Sequence, residues 1–328
     1  MPRILTGVQS TGVPHLGNLL GAILPAIKWA HACSEPSFLF VADLHSITQI
    51  KDSKLLKENT YQVVAAWLAC GLDTDRIIFY RQSDVPEVTE LAWYLNCFYP
   101  YQRLKLAHSF KDKKDYIEDV NSGLFTYPML MAADILLYDA EKIPVGKDQL
   151  QHLEIAREVA QRFNRKMGKV FVLPEAMMLE NLLHIPGTDG QKMSKSRKNT
   201  INIFAPDKDL RKQIMSIQTD SMPLKAPKDP EKDLVFSFYK LLASEEEIDH
   251  MRENYLAGGY GYGQVKQALY EFFLKHFAKE REKFNSFVQD EALLDEILVH
   301  GSQRASKVAQ QTLKRVRHAL GFSANDLN

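Results

Sequence analysis

Leu5-Thr6-Gly7-Val8-Gln9-Ser10-Thr11-Gly12-Val13-Pro14-His15-Leu16-Gly17-Asn18 decides how the rest of the chain is read. Ile4 to Val8 has the pattern of a strand, Gly12 and Pro14 make a turn, and a helix-like stretch runs from Leu16 to Ala32. Pro25 inside that stretch removes a backbone donor, so a kink is expected there. Farther on, Phe38-Leu39-Phe40-Val41-Ala42 is a continuous apolar run, as in a strand covered on both faces. Leu55 to Cys70 reads as a helix stopped by Gly71, Ile77 to Tyr80 as a strand, and Glu87 to Phe98 as a helix. This alternation predicts an α/β fold: a parallel sheet with helices on both faces and ligands at the carboxyl ends of its strands.

The strand signals stop after about Asp207. Leu234–Ala243, Glu246–Leu256, Gln264–Phe287 and Ser302–Leu320 read as helices, and Met222 to Pro230, with three prolines, reads as a connector. The expected division is an α/β domain over residues 1–206 and an all-helical domain over 207–328. The 328 residues are 45% hydrophobic, enough for a large packed core. Lys plus Arg (41) balances Asp plus Glu (41), so whole-chain charge marks no nucleic-acid binder, and any RNA contact would use local basic patches. Cys33, Cys70 and Cys97 are widely spaced, which argues against a disulfide framework or a thiolate metal site. Neither a signal peptide nor a bilayer-spanning apolar run is read, so a cytoplasmic protein without a membrane partner is expected.

Two motifs handle phosphate. Helix N-termini attract anions through free N–H groups, and His15 and Asn18 share one face of the first turn after β-strand and loop. Gly17 between them leaves room for close approach of a nucleotide; an ordinary capped helix start is the alternative. The second motif, Lys192-Met193-Ser194-Lys195-Ser196, lies in a turn-rich loop after Pro186-Gly187-Thr188-Asp189-Gly190. Two lysines on such a loop can neutralise charge developing on a leaving pyrophosphate; a solvated basic loop is the alternative.

Together the two motifs resemble those of the class I aminoacyl-tRNA synthetases, which pair a His-x-Gly-His/Asn element with a Lys-Met-Ser-Lys-Ser loop. The resemblance implies a Rossmann-like fold, ATP with Mg²⁺ held mainly by the ATP phosphates, and no protein metal site. It also implies attack of an amino-acid carboxylate on the α-phosphate, then transfer to tRNA. His15, Asn18, Lys192 and Lys195 would carry the catalysis.

Thr126 to Leu137 bears on the amino acid. This apolar helix holds one carboxylate, Asp134, and Pro128 suits a first helical turn. Tyr127, Met131 and Asp134 share a face. A hydroxyl, a thioether and an acceptor there suit an indole whose N–H meets Asp134. An Asp satisfied by an internal Arg or a backbone amide is the competing reading.

The segment Tyr127 to Leu137 is similar to the substrate helix of bacterial tryptophanyl-tRNA synthetases. Gly7-Val8-Gln9, Asp43 to Thr48, Val145 to Gln149, Gln151-His152 and Gly259-Tyr260-Gly261 also match that family. By this likeness Asp134 binds the indole N–H, and Tyr127, Gln149 and His45 surround the amino-acid head group. Met131, Ile143 and Val145 pack the ring, with Leu5 and Gly7 beside it. Gln9, Ser10, Thr11, His15, Gly17, Asn18, Gly146, Lys147, Asp148 and Leu183 contact ATP, as do Met193, Ser194 and Ser196 of the lysine loop. Lys113 is a further phosphate ligand, for which Lys111 could serve. Leu5 stands where a Phe often lines the pocket, Lys147 where a Glu is common, and Ser10-Thr11 where Pro-Ser is usual. The likeness further implies a homodimer. The alternatives are the sister enzyme for tyrosine and a non-catalytic synthetase-like RNA-binding protein.

In the helical half, Arg304, Lys307, Gln311, Lys314, Arg315 and His318 form one stripe at three- and four-residue spacing. It reads either as a face for the anticodon arm or as a solvated charged face. Gly258 to Gly263 does not fit G-x-G-x-x-G and follows no strand, so a turn between helices is expected.

Overall fold

The computed structural model describes residues 3–106, 121–146, 149–178 and 185–322. Strand β1 (Leu5–Val8) pairs in parallel with β2 (Phe38–Val41), Leu5 opposite Phe38, and β2 pairs in parallel with β3 (Ile78–Arg81), Phe38 opposite Ile78. Strands β4 (Lys142–Val145) and β5 (Glu175–Met178) form a second parallel pair. A parallel bridge between Ile4 and Lys142 joins the two, giving the order β3-β2-β1-β4-β5. The direction of winding reverses between β1 and β4, and the crevice at such a switch point is where ligands bind in open α/β sheets.

Both faces of the sheet are covered, which is why β2 reads as an unbroken apolar run. Leu39 and Val41 pack with Leu16, Ile23 and Trp67 on one face. Phe38 and Phe40 pack with Leu91, Met129 and Phe163 on the other. The first face carries the helical run that begins at Leu16–Asn18, and helix Ser53–Ala69. The second carries helices Glu87–Phe98, Ser122–Leu136 and Leu150–Met167. Among the described residues no helix is long and apolar enough to cross a membrane.

Two prolines behave differently from expectation. Leu19–Ile23 is a π-helical turn in which the Leu24 N–H bonds the Leu19 carbonyl, and Pro25 sits in the first turn of the α-helix Leu24–Ala32. The missing donor thus falls where the hydrogen-bond ladder has already changed register. Pro128 does not begin its helix. Asn121, whose side chain accepts the Leu124 N–H, caps a helix that starts at Ser122, and Pro128 lies inside it.

The helices after residue 207 fall into two groups by what they pack against. Helices Asp207–Met215, Leu234–Lys240, Glu245–Ala257 and Tyr262–His276 pack among themselves. The single helix read over Gln264–Phe287 is two, broken at Phe277. The second of these, Ala278–Gln289, lies on helix Ser53–Ala69, and the last helix, Glu291–Ala319, lies on β3. Ala305, Ala309, Leu313 and Val316 of the last helix complete the core around Phe38 and Tyr80. Arg304 and Arg315 of the candidate RNA stripe are committed elsewhere. Arg304 donates to the Thr74 and Asp75 carbonyls, and Arg315 pairs with Asp139. Lys307, Gln311 and His318 remain exposed.

Gly301 sits where this helix meets the sheet: a Cβ built there would lie 1.7 Å from the Phe79 carbonyl oxygen. Gly301→Ala should therefore destabilise the protein by about 1–3 kcal/mol, while the exposed neighbour Gln303→Ala should change little. Urea denaturation of both variants checks this; equal midpoints would contradict the close approach.

Candidate active site

A cavity of about 510 Å³ opens at the switch point, walled by β1 and β4. Its apolar lining includes Leu5, Phe40, Met131, Ile135, Ile143 and Val145. Gly7 keeps one wall flat, since a Cβ there would lie 2.6 Å from the Phe40 ring. The polar lining includes two hydrogen-bonded groups of side chains, together with Gln9, Thr11, Asn18 and Lys195.

The first group centres on Asp134, only 2% exposed. Its Oδ2 accepts from His45 Nε2 at 3.0 Å, and the Gln82 amide donates to Oδ1 and Oδ2 at 2.8 and 2.9 Å. Burial pushes the Asp134 pKa up, and the hydrogen bond and charge of His45 and the Gln82 amide oppose it. Neither an internal Arg nor a backbone amide satisfies this Asp; an imidazole and a side-chain amide do. In the second group the Tyr127 hydroxyl meets His152 Nε2 at 2.9 Å, and His152 Nδ1 meets Gln149 Oε1 at 2.9 Å. With the Gln149 amide oxygen towards it, Nδ1 donates to Gln149.

A further part of the cavity wall is built from the helix start and the lysine loop. His15 Nδ1 accepts the Asn18 N–H, and Asn18 Oδ1 accepts the His15 N–H, both at 3.2 Å. Capping and site formation are thus one arrangement. Burial, followed by the nearby Lys195 ammonium, pushes the His15 pKa down to about 4. The imidazole is neutral near pH 7, and with Nδ1 accepting, its proton sits on Nε2.

The lysine loop docks on the same helix start, 176 residues away in sequence: the Gly17 N–H donates to Met193 Sδ at 3.3 Å. The Leu16 N–H also donates to the Ile201 carbonyl at 2.7 Å. Lys195 Nζ donates to the Thr11 carbonyl at 3.0 Å, and partial burial brings its pKa down to about 8. Asn199, buried at the base of the loop, accepts the Ser194 N–H and donates to Asp189 and the Lys192 carbonyl.

Of the residues expected at the site, Leu5, Gly7, Gln9, Thr11, Asn18, His45, Tyr127, Met131, Asp134, Ile143, Val145, Gln149 and Lys195 line this one cavity. His15, Gly17 and Met193 lie beside Asn18, bonded to it or to each other. Lys192 is exposed on the loop, and the Ser194 and Ser196 hydroxyls bond each other at 2.8 Å. Gly146 follows β4 without lining the cavity. Ser10 is fully buried, and its hydroxyl donates to the Ser46 hydroxyl at 3.0 Å. Lys113 (like its alternative Lys111), Lys147, Asp148 and Leu183 lie outside the described residues. Sequence reasoning does not reach Gln82 or Asn199; neither belongs to a motif, and each acts through a partner distant in sequence or within a loop.

The family model for class I tRNA synthetases (W and Y) matches residues 1–278. The tryptophan–tRNA ligase of Rhodopirellula baltica is 44% identical over 320 residues, covering 98% of this chain and 99% of the relative. That of Fusobacterium nucleatum subsp. nucleatum is 42% identical over 326 residues, covering 99% of each. Among solved structures, tryptophanyl-tRNA synthetase from Campylobacter jejuni complexed with ADP and tryptophan matches with a TM-score of 0.94 at 43% identity, covering 97% of this chain and 99% of the other. The synthetase from Mycoplasma pneumoniae matches with a TM-score of 0.82 at 29% identity, covering 100% of each. With the helix start and the lysine loop meeting at the switch point and likeness of this extent, the chain belongs to the class I tRNA synthetases of the tryptophan and tyrosine group.

Proposed function

We propose that this protein is a tryptophan–tRNA ligase that forms tryptophanyl-adenylate from tryptophan and ATP and transfers tryptophan to the 3′ end of its tRNA. One observation carries the reading: a single cavity has a lone buried carboxylate in its apolar part and Asn18 and Lys195 at its other end. An indole fits the apolar part, with its N–H given to Asp134. Asp134, already met by His45 and Gln82, keeps further lone pairs for a ring N–H, and a phenyl ring would gain nothing from them, which supports selection by the site itself. The relatives' tryptophan specificity supports this choice over tyrosine.

The chemistry is positioning and electrostatics. Tyr127 and Gln149 hold the amino-acid head group. A carboxylate oxygen of the substrate bonds to the α-phosphorus as the bond to the β-phosphate oxygen breaks, releasing pyrophosphate. His15 Nε2–H and Asn18 Nδ2 donate to phosphate oxygens, and Lys195 and Lys192 neutralise the leaving group. The tRNA's terminal ribose hydroxyl then attacks the acyl carbonyl, and AMP leaves. Mg²⁺ is assigned to the triphosphate itself. Backbone amides, imidazole, carboxamide and ammonium groups surround the phosphate end, and no cluster of three or more metal-ligating side chains occurs among the described residues. We assign the enzyme to the cytoplasm and to a homodimer; exposed Trp93, Tyr101 and Leu106 offer apolar surface for the partner.

ATP–pyrophosphate exchange with each amino acid is the direct test: tryptophan should stimulate exchange. Stimulation by tyrosine alone would reassign the substrate, and tRNA binding without any exchange would return the non-catalytic reading. Lys195→Ala should lower the exchange rate constant roughly 10²–10³-fold with little change in tryptophan affinity; an unchanged rate would remove Lys195 from the reaction. Because Lys195 loses its charge as pH rises through about 8, kcat/KM for ATP should fall above that pH, and Lys195→Arg should abolish this arm of the profile.

A further inference from the structure

Gln82 is 1% exposed and absent from the cavity lining, yet its amide nitrogen spans both oxygens of Asp134. Its own Oε1 is buried without a hydrogen-bond partner. A buried carbonyl oxygen left in this state is a desolvation cost with nothing to offset it. Reversing the amide would relieve it only by facing two acceptors with a third, so the carboxylate dictates the orientation.

The residue is also held rigidly. Gln82–Asp84 is a single 3₁₀ turn at the end of β3. Asp43, from the end of β2, accepts both the Ser83 N–H and the Ser83 hydroxyl, and Arg81 pairs with Asp84 on the other side. The turn is tied down on both sides of Gln82, and the Gln82 amide reaches Asp134 from this anchored backbone.

We infer that Gln82 is a positioning residue for amino-acid selection, orienting Asp134 from behind so that the carboxylate faces the cavity as an acceptor for a ring N–H. The inference rests on the reading that Asp134 receives the indole N–H. His45 binds only Oδ2 and itself lines the cavity. Gln82 alone bridges both oxygens without touching the cavity, and so fixes the plane of the carboxylate. An uncharged donor is well matched to this position. It supplies hydrogen bonds to the carboxyl oxygens without the charge that a lysine would bring into the same buried space.

The test compares tryptophan with β-(3-benzothienyl)alanine, which replaces the ring N–H by sulfur at nearly the same shape, in ATP–pyrophosphate exchange. In Gln82→Met the ratio of kcat/KM for the two amino acids should fall by about tenfold, with the KM for tryptophan raised and that for ATP unchanged. A role in packing alone would lower both amino acids together, and an unchanged ratio overturns the proposal. Should Gln82→Met show no cooperative melting, Gln82→Asn, which stays uncharged but draws the amide back from Asp134, is read by the same ratio. Asp134→Ala separates the two layers of the argument. A ratio lost in Asp134→Ala but kept in the Gln82 variant rejects Gln82 alone. A ratio kept in Asp134→Ala, which has no side-chain acceptor, rejects the indole–Asp134 reading and this proposal with it.

Discussion

A carboxylate inside an apolar pocket is tolerated only where donors meet it, and that constraint organises the amino-acid half of this site. Asp134 comes from helix Ser122–Leu136, His45 from the short helix that follows β2, and Gln82 from the turn that follows β3. The three reach one point because parallel strands in register bring their carboxyl ends to the same edge. A slip in the pairing of β2 and β3 would move His45 away from Gln82 and leave the acid unpaired. The sheet's register and the pocket's chemistry are thus one requirement.

The phosphate half is made differently. Its fixed part is the capped helix start, where His15 and Asn18 satisfy each other's backbone N–H groups. Its other part is a loop whose internal order comes from Asn199 and whose attachment comes from a thioether contact and a backbone hydrogen bond. Sulfur is a weak acceptor, and Lys195 reaches only a carbonyl of the opposite wall. The loop is anchored by the buried Met193 side chain, while its lysines stay at the surface of the site.

How much of this could be read from residues alone follows from the range of each interaction. The strands β1 to β3 and the helices between them were legible because burial on both faces leaves an unbroken apolar run, as in Phe38 to Ala42. Strand β4 was not, since Lys142–Val145 is short and contains Pro144, which argues against a strand. The start of the last helix was hidden by Gly301-Ser302, a pair that looks like a break until the Phe79 backbone beneath it is known. Asp134 stood out as a lone charge in an apolar helix. Gln82, a neutral amide 52 residues from its partner, gave no local signal of its role.

That last helix has a consequence for how the molecule is made. In the order β3-β2-β1-β4-β5, β3 is an outer strand, and Glu291–Ala319 is packed on its backbone at Phe79. The ribosome delivers the strand early and its cover long afterwards. Until that helix has been translated, β3 presents an open edge able to pair with a strand of another nascent chain. The catalytic half therefore cannot finish folding ahead of the helices that follow it, and a chain terminated before the final helix would be released with an adhesive strand uncovered.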